Sequence, residues 1–357
     1  MSVRYLIRQN RSSVFANQDS DKELICDHLK NKFEETMNLN TNPRGYKNLL
    51  YFAISGEDSY LNLLEICLKS INKYSPQPNF DILFITEEKF VEKIKSFSSL
   101  SNFNFDFYIT TKPVDGVAAS MKKLNIFFYK NINDYKNILF LDCDTVCIQN
   151  INDIFKSNYD PQYIQVACNP ILTSDPDVWK KSSIYFNLDY ITQQQTDFIK
   201  TQKPIPFNAG QFYFCNSERM QSHFDNIIWL TKVWPGEYFF EQSFMNFYFT
   251  LNGLCKRQII DDLLKFVMVG PVPHIIRDLN TTTEKIAPIG NVYKSNGKYI
   301  YSVPSMKKNH TDPTAPIIDT ELKNGKTYIL HFIGMALFGT SKKIFIENYL
   351  KENDICL

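Results

Sequence analysis

The chain has 357 residues, and its 39 Lys and Arg residues almost balance its 38 Asp and Glu residues. A balance so close to zero indicates neither a basic nucleic-acid-binding surface nor an acidic tail, so no nucleic-acid partner is predicted. Hydrophobic residues make up 44% of the chain and aromatic residues 15%, which is enough for a large core. The length indicates either one large α/β domain with insertions or two domains.

Cysteine spacing and hydropathy bear on the compartment. The eight cysteines include no Cys-x-x-Cys pair, and several lie in apolar runs, where cysteine packs as a small hydrophobic residue. Neither a disulfide framework nor a structural zinc site is therefore indicated. The first residues lack the apolar core of a signal peptide, and no apolar run reaches the ~18 residues of a transmembrane helix. We predict a soluble, cytoplasmic protein with no transmembrane segment.

In chain order, residues 1–46 are polar and weakly periodic, and we interpret them as an N-terminal extension with one helix near residues 22–37. The main domain, residues 47–357, begins with a buried-strand pattern at 49–55. A helical pattern follows, and residues 80–86 predict a second strand. Such a βαβ unit belongs to a parallel sheet with right-handed crossovers.

Later elements are predicted in the same way. Ser120 is a candidate N-cap for a helix that carries Leu124. The strand at 206–215 is entered through a tight turn at Gly210. The remaining predictions are helices at 88–97 and 237–249, strands at 105–110, 138–141, 162–167 and 328–334, an irregular excursion at 173–203, and an insertion at about 271–326.

Two aspartates stand where a fully buried strand ends. Four apolar residues, 138–141, precede Asp142 and Asp144, which are separated by one residue. Residues i and i+2 of an extended chain point to the same side. Both carboxylates can therefore meet one hard cation at the carboxyl edge of a sheet, where open α/β sheets bind their ligands. The alternative is a helix cap or an Asx turn after a strand.

His331 stands at the end of an apolar strand, as the aspartates do, and is either a third ligand or a satisfied core residue. Two carboxylates and a neutral imidazole suit Mn²⁺ or Mg²⁺, with phosphate oxygens and water in the remaining positions. The sequence contains no Gly-x-x-x-x-Gly-Lys-[Ser/Thr] loop and no Gly-x-Gly-x-x-Gly fingerprint. A metal-bridged diphosphate is therefore favoured over a phosphate-binding loop.

Several motifs occur in a distinctive order along the chain. They are the opening strand with a polar turn and Tyr60, Lys123-Leu124, Leu141-Asp142-Cys143-Asp144-Thr145, Phe207-Asn208-Ala209-Gly210, Glu241-Gln242 with Asn246, and His331-Phe332-Ile333-Gly334. In this order they resemble the glycogenin-like glycosyltransferases of family 8, which are retaining enzymes. The resemblance implies an α/β, GT-A fold: a Rossmann-like, mostly parallel central sheet flanked by helices, here with the N-terminal extension and the C-terminal insertion.

The resemblance also implies a role for each matched residue. Asp142 and Asp144 would form the Asp-x-Asp pair and, with His331, hold Mn²⁺ or Mg²⁺ against the diphosphate of a UDP-sugar donor. Tyr60 would stack on the base, and Gly334 would let the backbone approach a phosphate. The other implied donor contacts are Ile54, Gly56 and Glu57 for uracil and ribose, Lys123 for sugar and phosphates, Cys143 between the aspartates, and Asn208, Ala209 and Gly210 for the sugar pocket.

Glu241 and Gln242 match the residues at the reacting face of the donor sugar. The metal and Lys123 would stabilise the negative charge on the diphosphate, and Glu241 and the Gln242 carbonyl the positive charge at the anomeric carbon. Retention follows either from front-face displacement or from covalent capture by Glu241, and the sequence leaves both open. A bland alternative for Gln242 is a hydrogen bond to Asn246, four residues further on.

The chain departs from the family pattern near its last motif. The family usually continues from His-Phe-x-Gly into Lys-Pro-Trp, whereas residues 335–339 here contain no lysine. Lys342 or Lys343 is then the candidate replacement for the phosphate-binding lysine. Glu241 stands where the family has aspartate, and so does Tyr238, three residues earlier.

We predict a metal-dependent retaining hexosyltransferase that uses UDP-glucose or UDP-galactose, with a glycan, protein or small-molecule acceptor left open. The family also makes a homodimer an expectation. The alternative from another class is a haloacid-dehalogenase-type Mg²⁺-dependent phosphatase, whose first motif fits residues 142–146 and whose later acidic pair fits Asp261-Asp262. Against it, that motif normally opens the domain, and about ninety residues of α/β sequence precede it here. A third alternative is a non-catalytic nucleotide-sugar-binding protein.

Overall fold

A computed structural model describes residues 18–157, 159–168, 177, 191–204, 206–234, 240–256, 264–268, 272–277, 284–289, 292–295, 298–301, 328–333, 339–352 and 355–357. The strands are β1 Lys47–Ile54, β2 Asp81–Thr86, β3 Phe105–Ile109, β4 Tyr135–Leu141, β5 Thr145–Cys147, β6 Ile164–Cys168, β7 Phe207–Cys215, β8 Cys255–Lys256, β9 Leu264–Met268, β10 Val272–Arg277, β11 Glu284–Ile289, β12 Val292–Ser295, β13 Lys298–Tyr301 and β14 Ile329–Ile333.

The α-helices are α1 Gln18–Met37, α2 Ser59–Tyr74, α3 Glu88–Lys95, α4 Gly116–Ser120, α5 Asn152–Lys156, α6 Gln193–Gln202, α7 Glu218–Val233, α8 Phe240–Met245 and α9 Gly339–Glu352. Short 3-10 helices occupy Ser98–Leu100, Met121–Phe128 and Ile132–Asp134, and a π-helix, Asn246–Thr250, continues α8.

The βαβ unit that the sequence predicts follows α1. β1 and β2 pair in parallel, and α2 connects them. Leu50 and Phe52 of β1 are buried on one face of the sheet, and Leu49 and Tyr51 on the other. A strand covered on both faces must be apolar at successive positions, which explains the unbroken hydrophobic run in this segment.

Seven strands form the central sheet, in the order β3-β2-β1-β4-β7-β6-β8. Its neighbouring strands are parallel except for the two pairs that β7 makes, with β4 and with β6. The predicted α/β class with a mostly parallel central sheet is therefore confirmed. Because β7 runs against β4, the first residues of β7 lie at the carboxyl edge of β4, beside Asp142.

A smaller sheet, with the strand order β5-β14-β9, completes this edge. β14 pairs antiparallel with β5 and places His331 opposite Thr145. The N–H of Phe332 also donates to the carbonyl of Asp144 at 3.0 Å. A strand that is distant in sequence thereby brings His331 to the aspartate loop.

Helices cover both faces of the central sheet. α2 packs Leu64 and Leu68 on the face that carries Leu50, and α7 packs Phe224 and Ile227 on the opposite face. None of the described helices combines the length and the apolar character that a bilayer crossing requires. The seven cysteines whose side chains the structure describes are free thiols.

Three local predictions are wrong. Residues 193–202 belong to the predicted irregular excursion but form α6, which Thr192 and Gln195 start with a reciprocal capping box. Ser120 ends α4, whose N-cap is Asp115; it stands at the N-cap position of the 3-10 helix Met121–Phe128, but its side chain makes no capping bond there. Gly210 lies within β7 and not in a turn before it.

Other predicted segments are described only in part. Most of the excursion at 173–203 lies outside the described residues, as do residues 237–239 at the start of the predicted aromatic helix. Within the predicted insertion, the described strands form two antiparallel hairpins, β10-β11 and β12-β13.

Candidate active site

Asp142, Asp144 and His331 converge at the carboxyl edge of β4. One ligand atom from each lies within 4.8 Å of the others, and Nε2 of His331 is 3.2 Å from Oδ1 of Asp144. Neighbouring ligand atoms of one metal ion are separated by about 3 Å when each lies about 2.1 Å from the ion. These residues therefore fit a divalent cation, and two oxygens with one imidazole nitrogen suit a hard ion such as Mn²⁺ or Mg²⁺.

Backbone hydrogen bonds hold the aspartate loop from two sides. The N–H of Asp142 donates to the carbonyl of Gly210 at 2.7 Å, and the carbonyl of Asp144 accepts the N–H of Phe332. The hydroxyl of Thr145 donates to the carbonyl of Asp142 at 2.8 Å. The loop is thus anchored to β7 and to β14, and both carboxylates face cationic or imidazole groups.

Gly210 allows these side chains to approach one another. A Cβ atom at this position would lie 2.5 Å from Cε1 of His331, 2.6 Å from Oδ2 of Asp142 and 2.7 Å from Oδ1 of Asn208. Each separation is shorter than the 3.0 Å that real Cβ atoms essentially never breach. A glycine is therefore required at this point of β7.

Lys123 is a buried cation between two acids. Its Nζ lies 2.6 Å from Oε1 of Glu241 and 3.2 Å from Oδ1 of Asp142, and it donates to the carbonyl of Ala209 at 3.1 Å. The ammonium also lies 4.7 Å from the centre of the Phe140 ring. Burial alone would lower the pKa of Lys123, but the two carboxylates raise that pKa above the ordinary lysine value. The side chain is a fixed positive charge.

Glu241 offers a second carboxylate oxygen to the site. The residue is 5% exposed, and its Oε1 pairs with Lys123. Its Oε2 is buried and has no hydrogen-bond partner in the part of the chain that the structure describes. Because a buried carboxylate oxygen without a partner is costly, this atom is a candidate contact for a bound ligand.

Gln242 and Asn246 both hold the start of β7. The side-chain carbonyl of Gln242 accepts the N–H of Ala209 at 3.2 Å. Asn246 accepts the N–H of Phe207 and donates to its carbonyl, both at 2.9 Å. The predicted alternative, a bond between the two amides, is therefore not what is observed. The two amides fix the strand that carries Gly210.

Lys342 reaches the site from α9. Its Nζ contacts Oδ2 of Asp144, and the residue is 7% exposed. Lys343 turns away and lies 3.9 Å from Glu347 of the same helix. Of the two lysines considered as a replacement for the missing one, the structure places Lys342 beside the aspartates.

The two aspartates experience opposite electrostatic effects. Burial raises the pKa of Asp142 above its usual value, although Lys123 opposes this. Burial would also raise the pKa of Asp144, but Lys342 and His331 outweigh it and hold that pKa well below the usual range. Asp144 is therefore the firmly ionised member of the pair.

Neither a protein-family model nor a curated protein matches the chain. Among solved structures, it is similar to the galactosyltransferase LgtC in complex with donor and acceptor sugar analogs, at 12% identity over 85% of this chain and 95% of that chain, with a TM-score of 0.48. It is also similar to mouse xyloside xylosyltransferase 1, at 16% identity over 62% of this chain and 87% of that chain, with a TM-score of 0.41.

The residues matched to uracil and ribose lie at the end of β1, which pairs with β4. Ile54 is buried, Glu57 is exposed, and Gly56 has a φ of 96°, which favours glycine. Tyr60 is half-buried at the start of α2, and burial raises its pKa, with smaller contributions from Cys143 and from Glu57. This loop therefore borders the aspartate loop.

Glu87 is a functional candidate that the sequence reasoning missed. It is 4% exposed, and its Oε1 accepts the N–H of Gly56 at 2.8 Å. Lys89 donates to the carbonyl of Gly56 at 2.5 Å. An acid directly after β2 is the available signal, because parallel strand ends share one edge, but acids follow strands too often for this to stand out.

Two predicted features fall outside the described residues. Gly334 follows the last described residue of β14, and Asp261-Asp262, which the phosphatase alternative requires, precede β9. Their proposed roles stay predictions.

Proposed function

We propose that the chain is a metal-dependent retaining glycosyltransferase that moves glucose or galactose from a UDP-sugar to an acceptor hydroxyl. The observation that carries this proposal is the meeting of two features at one sheet edge. One is the cation site of Asp142, Asp144 and His331, and the other is the Lys123–Glu241 pair with its unpartnered carboxylate oxygen. Such a site suits a donor that develops negative charge on a diphosphate and positive charge on a sugar.

Negative charge on the departing diphosphate is the first requirement of this reaction. A divalent ion bound by the three ligands would supply Lewis-acid stabilisation of that charge. Lys123 adds a second positive charge that is already oriented by Glu241, Asp142 and the carbonyl of Ala209. A charge held in place in a buried site needs no reorganisation during the reaction, which is why it stabilises a transition state effectively.

Positive charge at the anomeric carbon is the second requirement. Oε2 of Glu241 is the carboxylate oxygen left for it. Gln242 uses its carbonyl on the N–H of Ala209, so its contribution here is to orient β7. Glu241 therefore either stabilises a front-face displacement or captures the sugar covalently.

Recognition of the nucleotide falls to the loop after β1. Tyr60 offers an aromatic face for the base, and Glu87 and Lys89 hold both backbone polar groups of Gly56. A loop fixed before the ligand arrives loses little entropy on binding.

Calorimetric titration of UDP into metal-stripped protein, with and without Mn²⁺, tests the proposal. We expect binding with Mn²⁺ present, and loss of that binding in Asp144→Ala. A screen of UDP-sugars, with the anomeric configuration of the product read by NMR, then identifies the donor and tests retention. Absence of UDP binding in both conditions, or Mg²⁺-dependent hydrolysis of a phosphate monoester, would overturn the proposal.

A further inference from the structure

Five buried or partly buried charges surround the aspartate loop. The carboxylates of Asp142, Asp144 and Glu241 face the ammonium groups of Lys123 and Lys342. These five groups together carry one more negative charge than positive. Two lysines thus already offset most of the charge that makes the carboxylates attractive to a metal ion.

A divalent ion added to this cluster would reverse the sign of its net charge. An uncompensated buried charge is costly, and like charges a few ångströms apart repel strongly where water is excluded. A diphosphate that arrives with the ion supplies the missing negative charge. The cluster therefore favours the ion and the diphosphate together over the ion alone.

Lys342 is the cation that sets this preference most directly. Both lysines contact a metal-ligand candidate, but Lys123 is shared among Glu241, Asp142 and a backbone carbonyl, whereas the hydrogen bond of Lys342 goes to the carboxylate of Asp144. Asp144 divides its two oxygens, with Oδ1 towards His331 and Oδ2 towards Lys342. An ion bound to this carboxylate would share it with the ammonium.

Packing of α9 on β14 sets the backbone position of Lys342. Its helix, α9, buries Ile346, Tyr349 and Leu350 in one apolar cluster with Leu330 and Phe332, the neighbours of His331 in β14. The Phe332 and Tyr349 rings meet edge to face with centroids 5.3 Å apart. Because the same strand holds a metal-ligand candidate, the packing of α9 on β14 holds the backbone of Lys342 within reach of Asp144.

We propose that Lys342 makes retention of the divalent ion depend on the diphosphate, because its ammonium weakens binding of the ion alone and stabilises the ion and the diphosphate together. This inference rests on the proposed function, since the diphosphate is that of the UDP donor. As a consequence, the ion would leave with the nucleotide product and would not stay bound between turnovers.

Mn²⁺ binding, followed by the electron paramagnetic resonance signal of the free ion, tests this without any measurement of transfer. The titration is done with and without saturating UDP on the wild type, Lys342→Met and Lys342→Gln. The glutamine keeps a hydrogen-bond donor for Asp144 but removes the charge, so the two variants separate charge from contact. Lys343→Met, one residue along the same helix, is the matched control.

We expect both neutral variants to bind Mn²⁺ alone at least tenfold more tightly than the wild type. The factor by which UDP tightens Mn²⁺ binding should fall at least tenfold in both, and Lys343→Met should match the wild type. Thermal unfolding of each variant checks that it is folded, and Lys342→Arg, which keeps the charge, should restore strong dependence on UDP.

If the neutral variants bind Mn²⁺ alone no more tightly than the wild type, while the wild type still binds Mn²⁺ and UDP jointly, this inference is wrong and the proposed function stands. If the wild type shows no joint binding of Mn²⁺ and UDP, both are wrong.

Discussion

Gly210 shows how much of the site depends on one absent side chain. Gly210→Ala would place a methyl group 2.5 Å from Cε1 of His331 and 2.6 Å from Oδ2 of Asp142. Because one of these ligands must move, we expect Mn²⁺-dependent UDP affinity to fall at least tenfold, as measured by calorimetry. The added methyl group should also cost about 1 to 3 kcal/mol of folding free energy.

Gly116→Ala is the matched control for this change. Its Cβ atom would meet only Cε1 of Phe240, at an ordinary 3.9 Å. Binding should then match the wild type. Unchanged affinity in Gly210→Ala as well would mean that the site does not need the close approach seen here.

Replacement of Glu241 should reduce sugar transfer much more than it reduces UDP binding. Glu241→Ala leaves Lys123 with Asp142 and the carbonyl of Ala209, so UDP binding should change by no more than a few fold. Transfer should fall roughly 100-fold or more, because the carboxylate that the proposed function assigns to the reacting sugar is lost. Glu65→Ala, which removes a carboxylate paired with Lys69 on α2, should leave both unchanged.

The same variant distinguishes the two retaining routes. Intact-mass spectrometry of the wild type mixed with donor alone should show a hexose adduct if Glu241 is a nucleophile, and the variant should lack it. Full transfer activity in Glu241→Ala would remove this residue from the mechanism.

At the scale of elements, the edge of the sheet depends on hydrogen bonds between the π-helix that continues α8 and the first residue of β7. Asn246→Ala would leave the N–H and the carbonyl of Phe207 buried without their present partners. We expect a loss of about 2 to 4 kcal/mol in the free energy of unfolding, measured with urea.

Asn150→Ala provides the comparison for this loss. Asn150 is exposed, and its side-chain oxygen accepts the backbone N–H of Asn152 at 3.0 Å. Its removal should cost less than about 1 kcal/mol, because water can replace the lost bond. Equal losses in the two variants would show that the bonds between Asn246 and Phe207 stabilise the fold no more than one exposed hydrogen bond does.

Strong apolar patterns made parts of this architecture predictable. The first βαβ unit and the run before Asp142 carry the unbroken hydrophobic residues that are typical of strands buried on both faces, and these strands are observed. The direction and the pairing of the strands were harder to predict from the sequence, because a strand pattern does not reveal that β7 runs antiparallel to β4. The π-helix and the capping-box helix α6 were missed because local hydrogen bonds, and not apolar periodicity, define them.

Some candidate site residues could likewise be predicted from the sequence, and others could not. The pair Asp142 and Asp144 stands out because its spacing and the preceding strand act together. Lys342 lies on a helix separated from β14 by residues outside the described part, and no spacing rule indicates which of two adjacent lysines turns inward. Its contact with Asp144 depends on how α9 packs, which is a tertiary property.

For the molecule as a whole, one buried polar cluster links the N-terminal helix to the site. Thr36 of α1 accepts from Asn226 of α7 at 3.0 Å, and Asn226 also donates to the hydroxyl of Tyr248 in the π-helix at 2.9 Å. Nδ1 of His223 lies 3.0 Å from the same hydroxyl. The π-helix, whose Asn246 holds the start of β7, is therefore supported by groups from two other helices. These contacts contribute to the stability of the folded chain.

His223 makes that stability depend on pH. The residue is fully buried, and burial, assisted by Arg219, lowers its pKa to about 3, whereas an unfolded histidine titrates near 6.5. Between these values the unfolded chain binds a proton at this histidine and the folded chain does not. The stabilisation is therefore present above about pH 6.5 and is lost as the pH falls.

From His223 alone we expect the free energy of unfolding to fall by about 1.4 kcal/mol per pH unit as the pH falls between these two pKa values. Urea unfolding between about pH 7 and pH 4 measures the slope, which should decrease by this amount in His223→Gln. The exposed His28 offers the control, His28→Gln, which should keep the wild-type slope, and identical slopes in all three proteins would assign the acid sensitivity to other groups.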